Sequence, residues 1–201
     1  MVEVKTHYFF ALRLPDETKE YLYSWRRQFS LPFKRWVHPN DYHITFAFLG
    51  DADPKPLQKA VDTVKRIVEK TPPFSVQIDS IGTFGRKESP RIFWAGTKQN
   101  NRLFDIQKQV FQAAKEAGFQ LDSKPFRPHI TLAKKWNGDI SFTDTDASGF
   151  LYAKPPSHIF QADSVVLYQT HLDRSPMYEE IVRFYFENKE GKESKGNGSV
   201  N

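Results

Sequence analysis

The tripeptide His-Ile-Thr occurs twice in this chain, as His43-Ile44-Thr45 within DYHITFAFLG (residues 41–50) and as His129-Ile130-Thr131 within FRPHITLAKKW (residues 126–136). Both copies open short apolar runs of strand length. Side chains alternate along a strand, so His43, Thr45 and Ala47 share one face, and Ile44, Phe46 and Phe48 the other. In the second copy His129, Thr131 and Ala133 lie together against Ile130 and Leu132. The apolar faces belong in a core. Two strands that each turn an imidazole, a hydroxyl and a small methyl away from their packing side can line a cleft from two directions.

The remaining periodicities supply what such strands pack against. YFFALRL reads as a strand, followed by helical spacing of Leu22, Trp25 and Phe29 in PDETKEYLYSWRRQF, with Asp16 at the helix start. A second helix fits PKPLQKAVDTVKRIVEK, with Leu57, Ala60, Val61, Val64 and Val68 as its apolar stripe. A third fits NRLFDIQKQVFQAAKEAG and closes at Gly118. Between and after them, FSVQIDSI, RIFWAGT, HITLA, IFQADSVVLYQT and EIVRFYFE read as strands, and GTFGRKE as a turn with two glycines. Connections too short for a crossover helix make the pairing antiparallel, so the fold class is α+β and not a doubly wound parallel sheet.

Composition narrows the setting. At 201 residues the chain can bury a sizeable core in one large domain or two closely packed lobes. With 18 Phe and 39% hydrophobic residues it is not disordered, and a mean hydropathy of −0.61 with no apolar run near ~20 residues excludes a membrane span. The absence of cysteine rules out disulfides and thiolate chemistry and suits a cytoplasmic location. A formal charge of +5 favours a polyanionic partner. ENKEGKESKGNGSVN, at residues 187–201, balances Lys189, Lys192 and Lys195 against Glu187, Glu190 and Glu193 and reads as a disordered polar tail from residue 188. The domain is therefore expected over residues 1–187, with the basic excess inside it.

Chemistry follows from the duplication. A single histidine two residues before a threonine is most simply a half-exposed side chain satisfied by hydrogen bonds. A pair on facing strands can flank a phosphorus atom, one imidazole taking a proton from the attacking oxygen and the other giving one to the departing oxygen. The two threonine hydroxyls can then hold non-bridging oxygens. No Cys, no helical His pair four residues apart and no compact Asp/Glu cluster accompanies His43 or His129, so no metal site is expected. Arg127, two residues before His129, is a candidate phosphate ligand and Arg91 a weaker one; of the pair Lys34-Arg35 before the first motif, the lysine reads as solvated charge and the arginine is left unassigned. Phe48, Phe126 and Tyr168 are candidates for stacking on a base, although Phe48 has the parity of the core. His7, His38, His158 and His171 lack the following threonine and are excluded from catalysis.

The blocks HYFFALRLPDE, KRWVHPNDYHITFAFLG, GTFGRKESPRIFWAGT, FRPHITLAK and YQTHLDRSPMYEEI, in this order over residues 7 to 186, resemble those of the two-histidine (2H) phosphoesterases, in their bacterial LigT-like branch of RNA 2′,3′-cyclic phosphodiesterases, also called 2′-5′ RNA ligases. His171 and Arg174 in the last block fall where relatives vary. The resemblance implies a bilobal, pseudo-symmetric α+β fold, with antiparallel sheets facing a central cleft and helices outside. It implies a metal-independent hydrolase without cofactors that opens the 2′,3′-cyclic phosphate at an RNA end to a 2′-phosphomonoester; a monomer is expected, although the sequence itself does not set the oligomeric state. His43 would be the proton donor and His129 the proton acceptor, with Thr45, Thr131 and Arg127 on phosphate. The reverse reaction would join RNA ends by a 2′-5′ linkage. Two other readings are a 2H phosphoesterase for a small cyclic phosphate or oligoadenylate, and a non-catalytic nucleotide- or RNA-binding module.

Overall fold

The computed structural model describes residues 6–144 and 157–187; the polar tail expected from residue 188 lies outside the described residues. Helix α1 (Asp16–Arg26) follows strand β1 (His7–Arg13) and stops before Phe29, which nevertheless packs on Trp25 with ring centroids 5.2 Å apart. After β2 (Phe33–Trp36), a short 3₁₀ turn (Pro39–Asp41) and β3 (His43–Asp51), α2 (Pro54–Val68) opens on a proline whose missing N–H costs nothing at a first helical position. It buries Ala60, Val64 and Val68 of the expected stripe. Strands β4 (Phe74–Gly85) and β5 (Pro90–Thr97) lead to α3 (Asn101–Ala117). The Asn100 side chain accepts the Leu103 N–H at 3.1 Å, and Gly118 at φ 110° ends the helix in the left-handed region that favours glycine. Strands β6 (His129–Trp136), β7 (His158–Ala162), β8 (Ser164–Thr170) and β9 (Tyr178–Tyr185) complete the order.

Every strand pair is antiparallel, in the order β7-β4-β5-β6-β3-β1-β8-β9, with β2 paired to β6. The middle of this sheet is nearly severed: β3 and β6 share a single paired position, Ile44 with Ile130, so the strands form two lobes joined at one seam. Helices α2 and α3 pack on each other and cover the β3 lobe, where Gln107 donates to the Phe46 carbonyl at 3.1 Å. Helix α1 leaves β1 and crosses to the other lobe. There Thr18 meets His158 of β7 at 3.1 Å, and the Tyr21 ring stacks on that imidazole at 4.2 Å. The main core lies beneath the helices, and a smaller cluster of Phe9, Ala11, Val166 and Tyr168 fills the opposite face of the β3 lobe.

The structure departs from simple periodicity at four places. Strand β2 is short and half exposed, so its alternation carries little signal, yet β6 accepts it as a partner. IFQADSVVLYQT is two strands and not one: Asp163 separates β7, at one edge of the sheet, from β8, next to β1 in the other lobe. Both pieces are apolar, so hydropathy does not register the step between lobes. GTFG is not a turn but the end of β4, with Gly82 paired to Trp94, whose indole a Cβ at Gly82 would overlap. The reversal begins at Gly85, where φ is 107°.

The fourth departure bears on the motif itself. Along β1, Ala11 pairs with Thr45 and Phe10 with Ala47, skipping Phe46. Along β5, Trp94 pairs with Thr131 and Phe93 with Ala133, skipping Leu132. Each copy thus carries a β-bulge one residue after its threonine, and an extra residue exchanges the two faces beyond it. Ala47 and Ala133 turn into the core, contrary to the alternation. Phe48 is 55% exposed, not buried, and Lys134 comes to line a cavity beside the histidines.

Candidate active site

The seam fixes how the two motifs meet. With Ile44 opposite Ile130 in an antiparallel pair, continuing the register by one residue sets His43 across from Thr131 and Thr45 across from His129. Both isoleucines are fully buried, so the four polar side chains take the other face. Each histidine is oriented in the same way. His43 Nδ1 lies 2.7 Å from the Asp41 carbonyl, and His129 Nδ1 lies 2.7 Å from the Arg127 carbonyl. A carbonyl only accepts, so each Nδ1 carries the proton and each neutral ring keeps a bare Nε2. The Thr45 hydroxyl donates to His43 Nε2 at 3.0 Å.

The surroundings of the two rings differ. His43 rests on Phe9 (centroids 4.8 Å apart), Tyr178 (5.2 Å) and Tyr168 (5.7 Å). Burial in this aromatic cage pushes its pKa down to about 4, against a smaller upward pull from the Asp41 carbonyl, with Lys134, His129 and Lys19 adding to the depression. His129 meets the edge of Phe84 at 4.9 Å and sits near Trp94 at 6.4 Å. Burial lowers its pKa as well, opposed by the Arg127 carbonyl. Both imidazoles are neutral at physiological pH, and each accepts a proton more readily once an anion lies beside it.

Two cavities meet at Thr45, which lines both. On the His43 side lies a narrower pocket of about 200 Å³ walled by Arg35, Asp41, Thr131, Lys134, Arg174 and Tyr178, among others. On the His129 side a groove of about 800 Å³ runs between Phe48, Phe84, Phe126, Arg91 and Arg127. The expected residues His43, His129, Thr45 and Thr131 therefore converge. Arg127 lies with them at the groove, exposed, as does Arg91. Phe48 and Phe126 line the groove, whereas Tyr168 is buried beneath His43 and offers no free ring face. Of the excluded histidines, His38 lines the pocket, with its Nδ1 accepting the Asn40 N–H, and the other three lie elsewhere.

Sequence reasoning missed Lys134, Arg35 and Asp41. Lys134 was hidden by the bulge, and Arg35 by the weak signal of β2. The Asp41 carboxylate is almost fully buried and accepts the backbone N–H groups of Met177 (2.9 Å) and Tyr178 (3.1 Å), which pins the β8–β9 connection against the turn that holds His43. The available signal was an aspartate two residues before the motif histidine. Among the described residues, no group of three or more His, Cys, Asp or Glu side chains is placed to hold a metal ion, and no helix is long and apolar enough to cross a membrane.

The sequence pattern of the family described as LigT like Phosphoesterase matches residues 12–94 and again 96–178. A Geobacillus stearothermophilus protein named RNA 2′,3′-cyclic phosphodiesterase is 40% identical over 90% of this chain, which spans only 57% of that protein's length. A Bacillus subtilis protein of the same name is 34% identical over 92% of this chain and 98% of its own. Among solved structures, Escherichia coli LigT complexed with 3′-AMP superposes with a TM-score of 0.76 at 24% identity, covering 91% of this chain and 99% of that one, a likeness of fold.

Proposed function

The chain belongs to the LigT-like phosphoesterase family, and from that premise we propose that it hydrolyses the 2′,3′-cyclic phosphate at RNA ends to a 2′-phosphomonoester, as a cytoplasmic monomer whose single bilobal domain spans residues 1–187. The observation that carries the reading is the seam. A single register pair between two copies of one motif sets two imidazoles on one face, each with Nδ1 engaged on a backbone carbonyl, and with only the Thr45 hydroxyl on Nε2 of His43.

In the reaction, His129 Nε2 takes a proton from a water molecule as its oxygen attacks phosphorus. The P–O3′ bond breaks, and the imidazolium of His43 protonates the departing O3′. The histidines finish with their protons exchanged and reset through solvent. Thr45 and Thr131 donate to the non-bridging oxygens, and Arg127 adds a charge-assisted contact. The anionic phosphate opposes the burial that drives His43 toward neutrality, so binding substrate is what charges the acid. The groove, with Phe48 and Phe126 on its wall, receives the nucleoside. With a 5′-hydroxyl in place of water, His129 would take its proton as it attacks the same phosphorus, the P–O3′ bond would break and His43 would protonate O3′, leaving a 2′-5′ linkage. No metal takes part: the chain supplies both the proton donor and the proton acceptor.

Turnover of adenosine 2′,3′-cyclic phosphate by His43→Ala, His129→Ala and the double variant tests this. Each single change is expected to cost about 10²- to 10⁴-fold, and the double change far less than the product of the two. Retained activity in either single variant, or a 3′-phosphate product, would sink the mechanism.

A further inference from the structure

Strand β2 joins the sheet only through β6, and its register places Arg35 directly opposite Lys134. Like charges opposed across a strand pair destabilise it. Neither side chain has a direct ion-pair or hydrogen-bond partner among the described residues. Lys134 shows the conflict: burial first, then the Arg35 charge, lowers its pKa, against a smaller upward pull from the Asp41 carboxylate. Both side chains line the pocket that holds His43. Arg174 enters the same pocket from the β8–β9 connection, its guanidinium 3.0 Å from Glu179. Asp41 is the only acid among the described residues of the wall, and both its oxygens accept backbone N–H groups.

A cyclic phosphodiester carries one negative charge. At the floor of the pocket it is met by two threonine hydroxyls and the His43 imidazolium, which leaves Arg35 and Lys134 with charge to spare. We infer that Arg35 and Lys134, with Arg174 at the mouth, form a subsite for a second phosphate of the same substrate, the 5′-phosphate that links the terminal nucleotide to an RNA chain. This rests on the phosphodiesterase reading and extends it, because the enzyme then distinguishes an RNA end from a free nucleoside cyclic phosphate. It also accounts for β2, whose short pairing holds Arg35 in place against the repulsion.

The test compares kcat/KM for adenosine 2′,3′-cyclic phosphate with and without a 5′-phosphate. In the native protein the 5′-phosphate is expected to give an advantage of about tenfold, in line with one charge-assisted contact. Arg35→Ala brings that ratio close to one, whatever the absolute rates, and Arg35→Lys restores part of it. Thermal stability of Arg35→Ala stays level or rises, because a like-charge pair is removed. A ratio near one in the native protein overturns the subsite, as does a ratio untouched by Arg35→Ala or lost in Arg127→Ala alone. If neither nucleotide is turned over, the phosphodiesterase reading has failed. Calorimetry then decides the subsite by itself: adenosine 2′,5′-bisphosphate binding about tenfold tighter than adenosine 2′-phosphate, with the difference lost in Arg35→Ala, supports it, and equal affinities overturn it.

Discussion

Replacing His43 by glutamine separates the stability of the protein from one proton. In the unfolded chain this imidazole takes a proton near its ordinary pKa of 6.5; in the fold it does so only near 4. Between those values the unfolded state binds more protons, so stability present above pH 6.5 is lost as pH falls toward 4. A gap of about two to three units makes the full loss about 3 kcal/mol, with roughly 1 kcal/mol gone by pH 5.5 and about 2 to 3 kcal/mol by pH 4.5. The cause is structural: Phe9, Tyr168 and Tyr178 displace water from around the ring, and Lys134 stands nearby. Urea unfolding of the native protein and His43→Gln at pH 7.5, 5.5 and 4.5 measures it. His129 and His158, whose pKa values burial also lowers, remain in both proteins and cancel in the difference. The variant should gain on the native protein by about 2 to 3 kcal/mol at the lowest pH. Parallel pH curves for the two proteins would refute the claim that the cage holds His43 neutral.

The kcat/KM profile of the free enzyme should be a bell whose maximum lies below pH 6.5, since both histidines are shifted downward; a maximum near pH 8 would show that the acid is another group. Gly82→Ala should destabilise the protein by about 1 to 3 kcal/mol, because the new methyl enters the space of the Trp94 indole, and an unchanged urea midpoint would show that Trp94 moves aside freely. Phe48→Ala should leave the fold intact, its ring being exposed, but raise KM for a nucleoside cyclic phosphate about tenfold through lost stacking; an unchanged KM would place the base elsewhere.

The α+β class, the three helices and the antiparallel pairing were legible because α2 and α3 keep clean apolar stripes and carry their own stop signals, such as Gly118. His43, Thr45, His129 and Thr131 were legible because duplication makes a chance arrangement improbable. What escaped depended on contacts distant in sequence. The bulges at Phe46 and Leu132 appear only when β1 and β5 are laid beside β3 and β6, and they decide that Phe48 and Lys134 face the site. Arg35 stayed unassigned because four residues of β2 hold too little pattern to reveal a partner strand. The split of β7 from β8 at Asp163 is invisible for the opposite reason, since both sides carry the same strong pattern.

That split has a mechanical outcome. Cutting the chain between β5 and α3 would leave β1 and β3 on one piece and their lobe partners β8 and β9 on the other, while β4 and β5 would part from β6 and β7. Neither piece contains a complete lobe, so the two halves are interleaved like the fingers of clasped hands. The lone Ile44–Ile130 pairing does not have to bear the load of keeping the imidazoles apart at a working distance. Repeated passage of the covalent chain from lobe to lobe does that, so the lobes must fold and unfold as one body, and the span of the cleft is set by connectivity before any substrate arrives.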